Sequence, residues 1–255
     1  MKSNAAADAA PALQSRNLNR SLHTWLVIPT YDEAENIEPL VEAALPQLPA
    51  SRTVLVVDDA SPDGTGEVAD RLAAADDDVR VLHRPRKEGL GPAYVAGFRE
   101  ALAGGAQIVC QMDADFSHDP ADLPRLLAAL DDADVALGSR YATGGGVEHW
   151  GPTRKLISRG GSAYARTLLG VEVNDLTGGF KAFRSEVLEA IDLETIPSLG
   201  YAFQVETTYR AIQAGFRVVE VPILFHDRRV GHSKMSGRIV IEAALRVPAM
   251  RWRND

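Results

Sequence analysis

WLVIPTYDEAENIEPLVEAALPQLPASRTVLVVDD, residues 25–59, holds two short apolar runs separated by a stretch of a different period. WLVIP (25–29) and TVLVVDD (53–59) are too short for helices and end in turn-forming or acidic residues, as strands buried on both faces do. Between them Ile37, Leu40, Val41, Ala44 and Leu45 recur at helical spacing, which predicts a helix from about Glu33 to Leu48. Strand, helix and strand in so short a span make a β-α-β unit. Such a unit implies a parallel sheet covered by helices.

The same rhythm continues. The turn ASPDGTG leads to a helix through Val68 and Leu72, VRVLHR (79–84) reads as a third strand, and a helix from Leu90 to Ala103 follows. AQIVCQMD (106–113) is a fourth strand and DVALG (134–138) a fifth. Four β-α units in succession point to a Rossmann-like nucleotide-binding layer rather than a sandwich or bundle. The rhythm then breaks at YATGGGVEHWGP (141–152), whose four glycines suit either a lid over a site or an ordinary long loop. Beyond it come a helix through Leu156 to Leu169, the unassigned stretch GGFKAFRSEVL, a helix near 201–214 and a strand RVVEVPILF (217–225). The expected organisation is a flexible tail over 1–22, one α/β domain over 23–235, and an amphipathic helix over 236–255 interrupted by Pro248.

Composition narrows the function classes. A net charge of -8 argues against general nucleic-acid binding, which needs a basic surface to displace counterions. The single cysteine, Cys110, cannot form an intrachain disulfide and has no partners at zinc spacing, which fits a reducing cytosol. No stretch has the roughly 18 consecutive apolar residues of a membrane span, and the first 22 residues lack the apolar core of a signal peptide. A cytoplasmic protein is expected, with attachment to a membrane surface left open.

Open parallel sheets bind ligands at the carboxyl ends of their strands. PTYDEAEN (29–36), DDASPDG (58–64), DADFSHD (113–119) and GSRY (138–141) all fall at such ends and describe one cleft. Taken alone, a D-x-D triplet such as Asp113-Ala114-Asp115 is more often a solvated turn or cap. Directly after a buried strand, two like charges this close repel unless a cation lies between them. A hard divalent ion, Mg²⁺ or Mn²⁺, binds one or two carboxylates and completes its shell with phosphate oxygens and water. Asp63 and Thr65 read better as local turn and cap residues, whereas Asp58 is placed to accept hydrogen bonds from a base or ribose. Tyr31 suits core packing and base stacking equally.

Taken in order, PTYDEAENI, VVDDASPDGT, RPRKEGLGPAYVAGF, MDADFSHDP, GSRYATGGGV, RKLISRG, NDLTGGFKAFR, GYAFQVE and FHDRRVGHSK resemble the dolichol- or polyprenol-phosphate mannose synthases, which are inverting GT-A glycosyltransferases of family 2. The likeness runs from about Trp25 to Lys234 and implies a GT-A domain over 23–235. It implies transfer of mannose from GDP-mannose to a polyprenyl or dolichyl monophosphate, with a divalent ion, at the cytoplasmic face of a membrane. It places Pro29, Tyr31, Glu33, Val56 and Asp58 around the guanosine, and Asp113, Ala114 and Asp115 at the ribose, diphosphate and metal. Arg140, Arg154, Ser158, Arg228 and Lys234 match positions that hold the donor diphosphate or the acceptor phosphate. Ser117 stands where some members carry a glutamine that helps bind the metal.

The chemistry agrees with the resemblance. A phosphate monoester and a departing nucleoside diphosphate crowd negative charge into one cleft of an acidic protein, and Arg140, Arg154, Arg228 and Lys234 supply countercharge. Arg159 and Arg229 read better as surface ion pairs. For Asp175, orientation of sugar hydroxyls and helix capping are both open, and Gln204 with Glu206 shares the first reading. From Arg228 to Arg253 seven basic residues stand against Glu242 alone, so the last helix suits either an anionic membrane surface or packing on the core. A separate integral membrane partner fits a chain without its own span. The competing functions are a polyprenyl-phosphate hexosyltransferase using a UDP-sugar, and a catalytically silent nucleotide-sugar-binding module.

Overall fold

In the computed structural model, residues 22–196, 200–227 and 246–251 are described. Nearly all of the expected tail, and the segment 228–245 with Arg228, Arg229 and Lys234, lie outside the described residues. Seven consecutive buried residues, Thr24–Thr30, form strand β1. It pairs in parallel with β2 (Arg52–Asp58) on one side and β4 (Ile108–Gln111) on the other. The intervening helix is α1 (Ala34–Ala44). Because side chains alternate across a strand, Leu26 and Ile28 join Ile37, Leu40 and Val41 of α1 in one layer. Trp25 and Val27 join Phe98 and Ala101 of α3 (Leu90–Ala103) in the other. A Cβ at Gly97 would stand 2.4 Å from Val27 Cγ1, so only glycine lets α3 seat this closely on the sheet.

The remaining elements are α2 (Thr65–Ala75), β3 (Val79–His83), α4 (Leu123–Ala129), β5 (Val135–Ser139), β6 (Gly146–Val147), α5 (Pro152–Leu169), β7 (Lys181–Arg184), α6 (Ser185–Ala190), α7 (Gly200–Gln213), β8 (Val218–Pro222) and β9 (Leu224–Phe225). Among the described residues the main sheet runs β3-β2-β1-β4-β7-β5-β8. Only β7 is antiparallel, lying between β4 and β5. The mostly parallel, helix-covered α/β class expected from sequence is therefore the one observed.

Four details differ from the sequence reading. GGFKAFRSEVL supplies the inserted strand β7 and the short helix α6, and α4 is seven residues long, too short for a periodic signal. The expected strand 217–225 splits, because Pro222 has no N–H to continue the ladder and β9 turns away to pair with β6. The glycine-rich segment 141–152 is thus tied at its centre by β6, and Trp150 is buried beyond it. Residues 246–251 are helical through Pro248, which does not interrupt them. There Val247 and Met250 pack with Ala165, Leu169 and Tyr209, so this part of the last helix takes the core-packed reading.

Candidate active site

The chain runs from β1 out to β2 and β3, then returns across β1 to place β4 on its other side. Loops leaving β1 and β4 diverge at this switch point and open a crevice at the carboxyl ends of the strands. Tyr31 and Glu33 follow β1, Asp58 ends β2, Asp113 to Asp115 follow β4, and Arg140 follows β5. Four stretches distant in sequence therefore share one rim.

On the β1–β2 side, Asp58 is buried and accepts the Ser61 N–H at 3.3 Å. Glu33 accepts the Asn36 amide at 2.8 Å and donates its own N–H to Thr65 Oγ1 at 3.0 Å. Asp63 accepts the N–H groups of Ala34 and Thr65 at 3.0 and 3.1 Å, which is the local turn role expected for it. Asp59 receives the N–H groups of Glu88 and Gly89 and pairs with Arg84, so it braces the entry to α3. Tyr31 is half-buried at the rim with Lys87 Nζ 3.3 Å above its ring, which removes the core-packing reading. Val56 and Ala114 put their side chains into the core, which leaves only their main chain for the ligand contact expected there. Pro29 is also buried, within β1.

At the end of β4, Asp113 is half-buried and accepts the Tyr94 hydroxyl at 3.0 Å. Burial, then Asp113, pushes the Tyr94 hydroxyl well above its ordinary pKa, so it stays a donor. Asp115 is buried, and its Oδ1 accepts the Ser117 N–H at 3.0 Å across a turn in which Phe116 has a left-handed φ of 59°. His118 closes the turn with Nδ1 3.4 Å from the Asp113 nitrogen and its ring stacked 5.0 Å from Phe180. Burial lowers its pKa against the opposing pull of Asp113 and Asp115. No group of three metal-binding side chains gathers among the described residues. Two carboxylates with Ser117 beside them fit an ion that takes its other ligands from phosphate and water. A Cβ on Gly179 would stand 3.4 Å from Asp113 Oδ2 and 3.6 Å from Gln204 Nε2. Gly179 therefore lies against both Asp113 of the acid pair and the Gln204 amide.

Across the crevice, Arg140 is clamped by Asp175, with Nε to Oδ2 at 2.7 Å and Nη2 to Oδ1 at 2.6 Å, and it also reaches Thr177 at 2.8 Å. Burial works against the Asp175 charge, but Arg140 and the hydrogen bonds outweigh it and hold this carboxyl below its usual range. Asp175 thus fixes Arg140 rather than capping a helix. The pair is electrically balanced, so Arg140 attracts an anion less strongly than a lone guanidinium would. Arg154 lies 4.0 Å over the Trp150 ring and pairs with Asp227 at 2.9 Å. Ser158 is 2.6 Å from the Tyr141 hydroxyl, and Arg159 lies 5.5 Å over the Tyr141 ring, with no ion pair among the described residues. Phe225 joins the two sides, 5.4 Å from His118 and 5.3 Å from Trp150, with the Arg140 guanidinium 5.4 Å from its own ring.

This aromatic bridge, with Tyr94 and His118, escaped sequence reasoning. The histidine inside SHD and the tryptophan closing the glycine-rich segment were its only signals. Glu206 is buried and pairs with Arg210 at 2.6 Å. Gln204 instead accepts hydrogen bonds from Gln111 at 2.7 Å and Lys181 at 2.9 Å, while its own buried Nε2 has no protein partner.

Lys181 is fully buried, bonded to Gln204 O at 2.8 Å and Thr207 Oγ1 at 3.2 Å, and burial lowers its pKa to about 7. An unfolded lysine keeps its proton to about pH 10.4. Between those values the unfolded chain binds the extra proton, so stability from this group rises with pH. Relative to Lys181→Met, the wild type is expected to gain up to about 1.4 kcal/mol per pH unit above pH 7. Denaturant unfolding of both proteins at pH 7, 8.5 and 10 checks this, and a pH-independent difference would mean a charged amine in the fold.

The Glycosyl transferase family 2 pattern matches residues 25–192. An undecaprenyl-phosphate mannosyltransferase from Micrococcus luteus is 51% identical over 230 residues, 89% of this chain and 94% of that protein. A polyprenol monophosphomannose synthase from Mycolicibacterium smegmatis is also 51% identical, over 88% of this chain and 85% of that one. Among solved structures, glucosyl-3-phosphoglycerate synthase from Mycobacterium tuberculosis, in complex with Mn²⁺, UDP and glucosyl-3-phosphoglycerate, has a TM-score of 0.65. That likeness covers 95% of this chain and 83% of the other at 19% identity, so it speaks for a shared GT-A fold alone.

Proposed function

The chain belongs to glycosyl transferase family 2, and from that premise we propose that it transfers mannose from GDP-mannose to a polyprenyl monophosphate, giving polyprenyl-phosphate mannose and GDP with inversion. The observation that carries the reading is the chain of contacts from the Asp113–Asp115 turn, through His118, Phe225 and Trp150, to Arg154. The two mannosyltransferase relatives, at 51% identity across that whole region, support the sugar and the acceptor class.

An acceptor phosphate monoester has its second pKa near 6 and is largely dianionic at pH 7. Its oxygen forms the new bond to the mannose anomeric carbon without a protein base, while the bond from that carbon to the diphosphate breaks and its electron pair leaves with GDP. Catalysis is then positioning and charge stabilisation. Asp58 and Glu33 receive the nucleoside, with Pro29, Val56 and Tyr31 beside it, and Asp113 and Asp115, with Ser117, hold Mg²⁺ or Mn²⁺. That ion supplies charge neutralisation on the diphosphate. Arg154 and Ser158 face the acceptor phosphate, joined by Arg228 and Lys234 from outside the described residues, while Arg140 is preset by Asp175. Gln204, held by Lys181 and Gln111 with its amide donor left over, would read a sugar hydroxyl.

No helix of the described residues is long and apolar enough to cross a membrane. In this reading the acceptor's lipid brings the protein to the cytoplasmic face as a peripheral enzyme, alone or with an integral membrane protein. The test is a donor-by-acceptor assay with Mg²⁺ or Mn²⁺. Labelled mannose is expected to move from GDP-mannose to a short polyprenyl phosphate. Transfer from UDP-glucose alone would change the donor, and intact nucleotide binding without transfer would make the chain a binding module.

A further inference from the structure

Helix α5 carries three of the four large hydrophobic side chains that stand exposed among the described residues: Leu156 at 73%, Ile157 at 48% and Tyr164 at 43%. At about 100° per residue these three fall within one arc of about 100°. The buried residues of α5, Ser162, Ala165 and Leu169, lie on the opposite side. Lys155, Arg159 and Arg166, spaced four and seven apart, form a basic stripe along one flank. The whole helix has no acidic residue, although the chain carries a net charge of -8. Soluble surfaces rarely gather large apolar side chains in this way without a partner.

We propose that this outer face of α5 lies in the headgroup region of an anionic lipid bilayer. An apolar arc beside a cationic stripe on a helix too polar to span is the chemistry of an interfacial helix, in which aliphatic groups enter the headgroup boundary and cations meet lipid phosphates. The same helix bears Arg154 and Ser158 on the side of the crevice. Seating α5 on the bilayer therefore brings the crevice to the depth of a lipid-linked phosphate without drawing the lipid out of the membrane. The proposal rests on the lipid-phosphate acceptor reading and locates the membrane contact on α5.

Flotation with vesicles of phosphatidylglycerol and phosphatidylcholine in equal parts, compared with phosphatidylcholine alone, tests it. The wild type is expected to float with the anionic vesicles, and Leu156→Ser/Ile157→Ser to partition at least roughly tenfold more weakly at an unchanged Tm, since both side chains are exposed. A second reading does not depend on that variant. Cys110 is fully buried, so an environment-sensitive dye on Leu156→Cys labels position 156 selectively, and its emission should shift to the blue on anionic vesicles. Equal flotation of wild type and double variant, or an unshifted dye on bound protein, would overturn the proposal. So would a wild type that stays in the aqueous fraction, the outcome if a protein covers this face. Transfer to a short water-soluble polyprenyl phosphate without vesicles should be the same in both proteins. If neither transfers, the acceptor reading fails, and flotation still decides the face.

Discussion

Asp115→Asn is expected to lower kcat by about 10³-fold while leaving folding almost unchanged. Asp115 is 4% exposed at the end of β4, and its Oδ1 accepts the Ser117 N–H. An asparagine keeps that oxygen and the shape, so the turn around Phe116 survives. What it removes is a full negative charge from the pair that would hold the ion against the diphosphate, and burial of Asp115 makes that charge worth more than it would be in water. Steady-state kinetics at saturating donor, titrated with Mg²⁺ or Mn²⁺, should show the loss, and a thermal melt should show a shift within a few degrees. Matching losses of turnover and stability would make the acid pair a structural element.

Arg140→Met should instead destabilise the fold by about 3–5 kcal/mol, because it leaves Asp175 buried without its partner. Asp175 is 0% exposed and Arg140 5%, so little solvent reaches the pair. For a domain of this size the loss corresponds to a drop in Tm on the order of 10 °C. The pH dependence separates this cause from lost packing. In the wild type the Asp175 carboxyl is held below its ordinary value, so its stabilisation is present above the unfolded pKa of about 3.9 and fades as pH falls through the folded pKa. In the variant, burial without Arg140 raises that pKa, so the variant's deficit is present at pH 7 and narrows as pH falls toward 4. Urea unfolding at pH 7, 5.5 and 4.5 should show the narrowing. Arg140→Met/Asp175→Asn should recover much of the deficit, and a small, pH-independent loss in the single variant would show that the pair is not buried as charges.

These expectations draw on two different kinds of signal. The first strand, its helix and the second strand were legible from apolar spacing between Trp25 and Asp59, and the rim followed from where each strand ended in polar residues. Asp58, Asp113, Asp115 and Arg140 were found this way because one strand end brings its own neighbours to the cleft. Two positions expected from the family resemblance, Val56 and Ala114, point their side chains into the core, since a matched motif does not tell whether a residue meets a ligand by its side chain or its main chain. The inserted strand β7 gave no periodic signal: it is four residues long and carries a lysine that is stable inside only because Gln204 and Thr207 meet it.

Taken by itself, the amino-acid sequence determined the α/β layering, the order of the first five strands and the acid pair at the rim, all of which depend on spacing within a few residues. Only the tertiary structure decided that Asp175 clamps Arg140, that Lys181 and Gln111 hold Gln204, and that Phe225 bridges His118 to Trp150. It also decided that α5 turns Leu156 and Ile157 outward. These partners stand 23 residues apart for Lys181 and Gln204, 35 for Arg140 and Asp175, and 93 for Gln111 and Gln204. The energy of such contacts depends on mutual burial and distance, and no local pattern carries either until the sheet has closed around them.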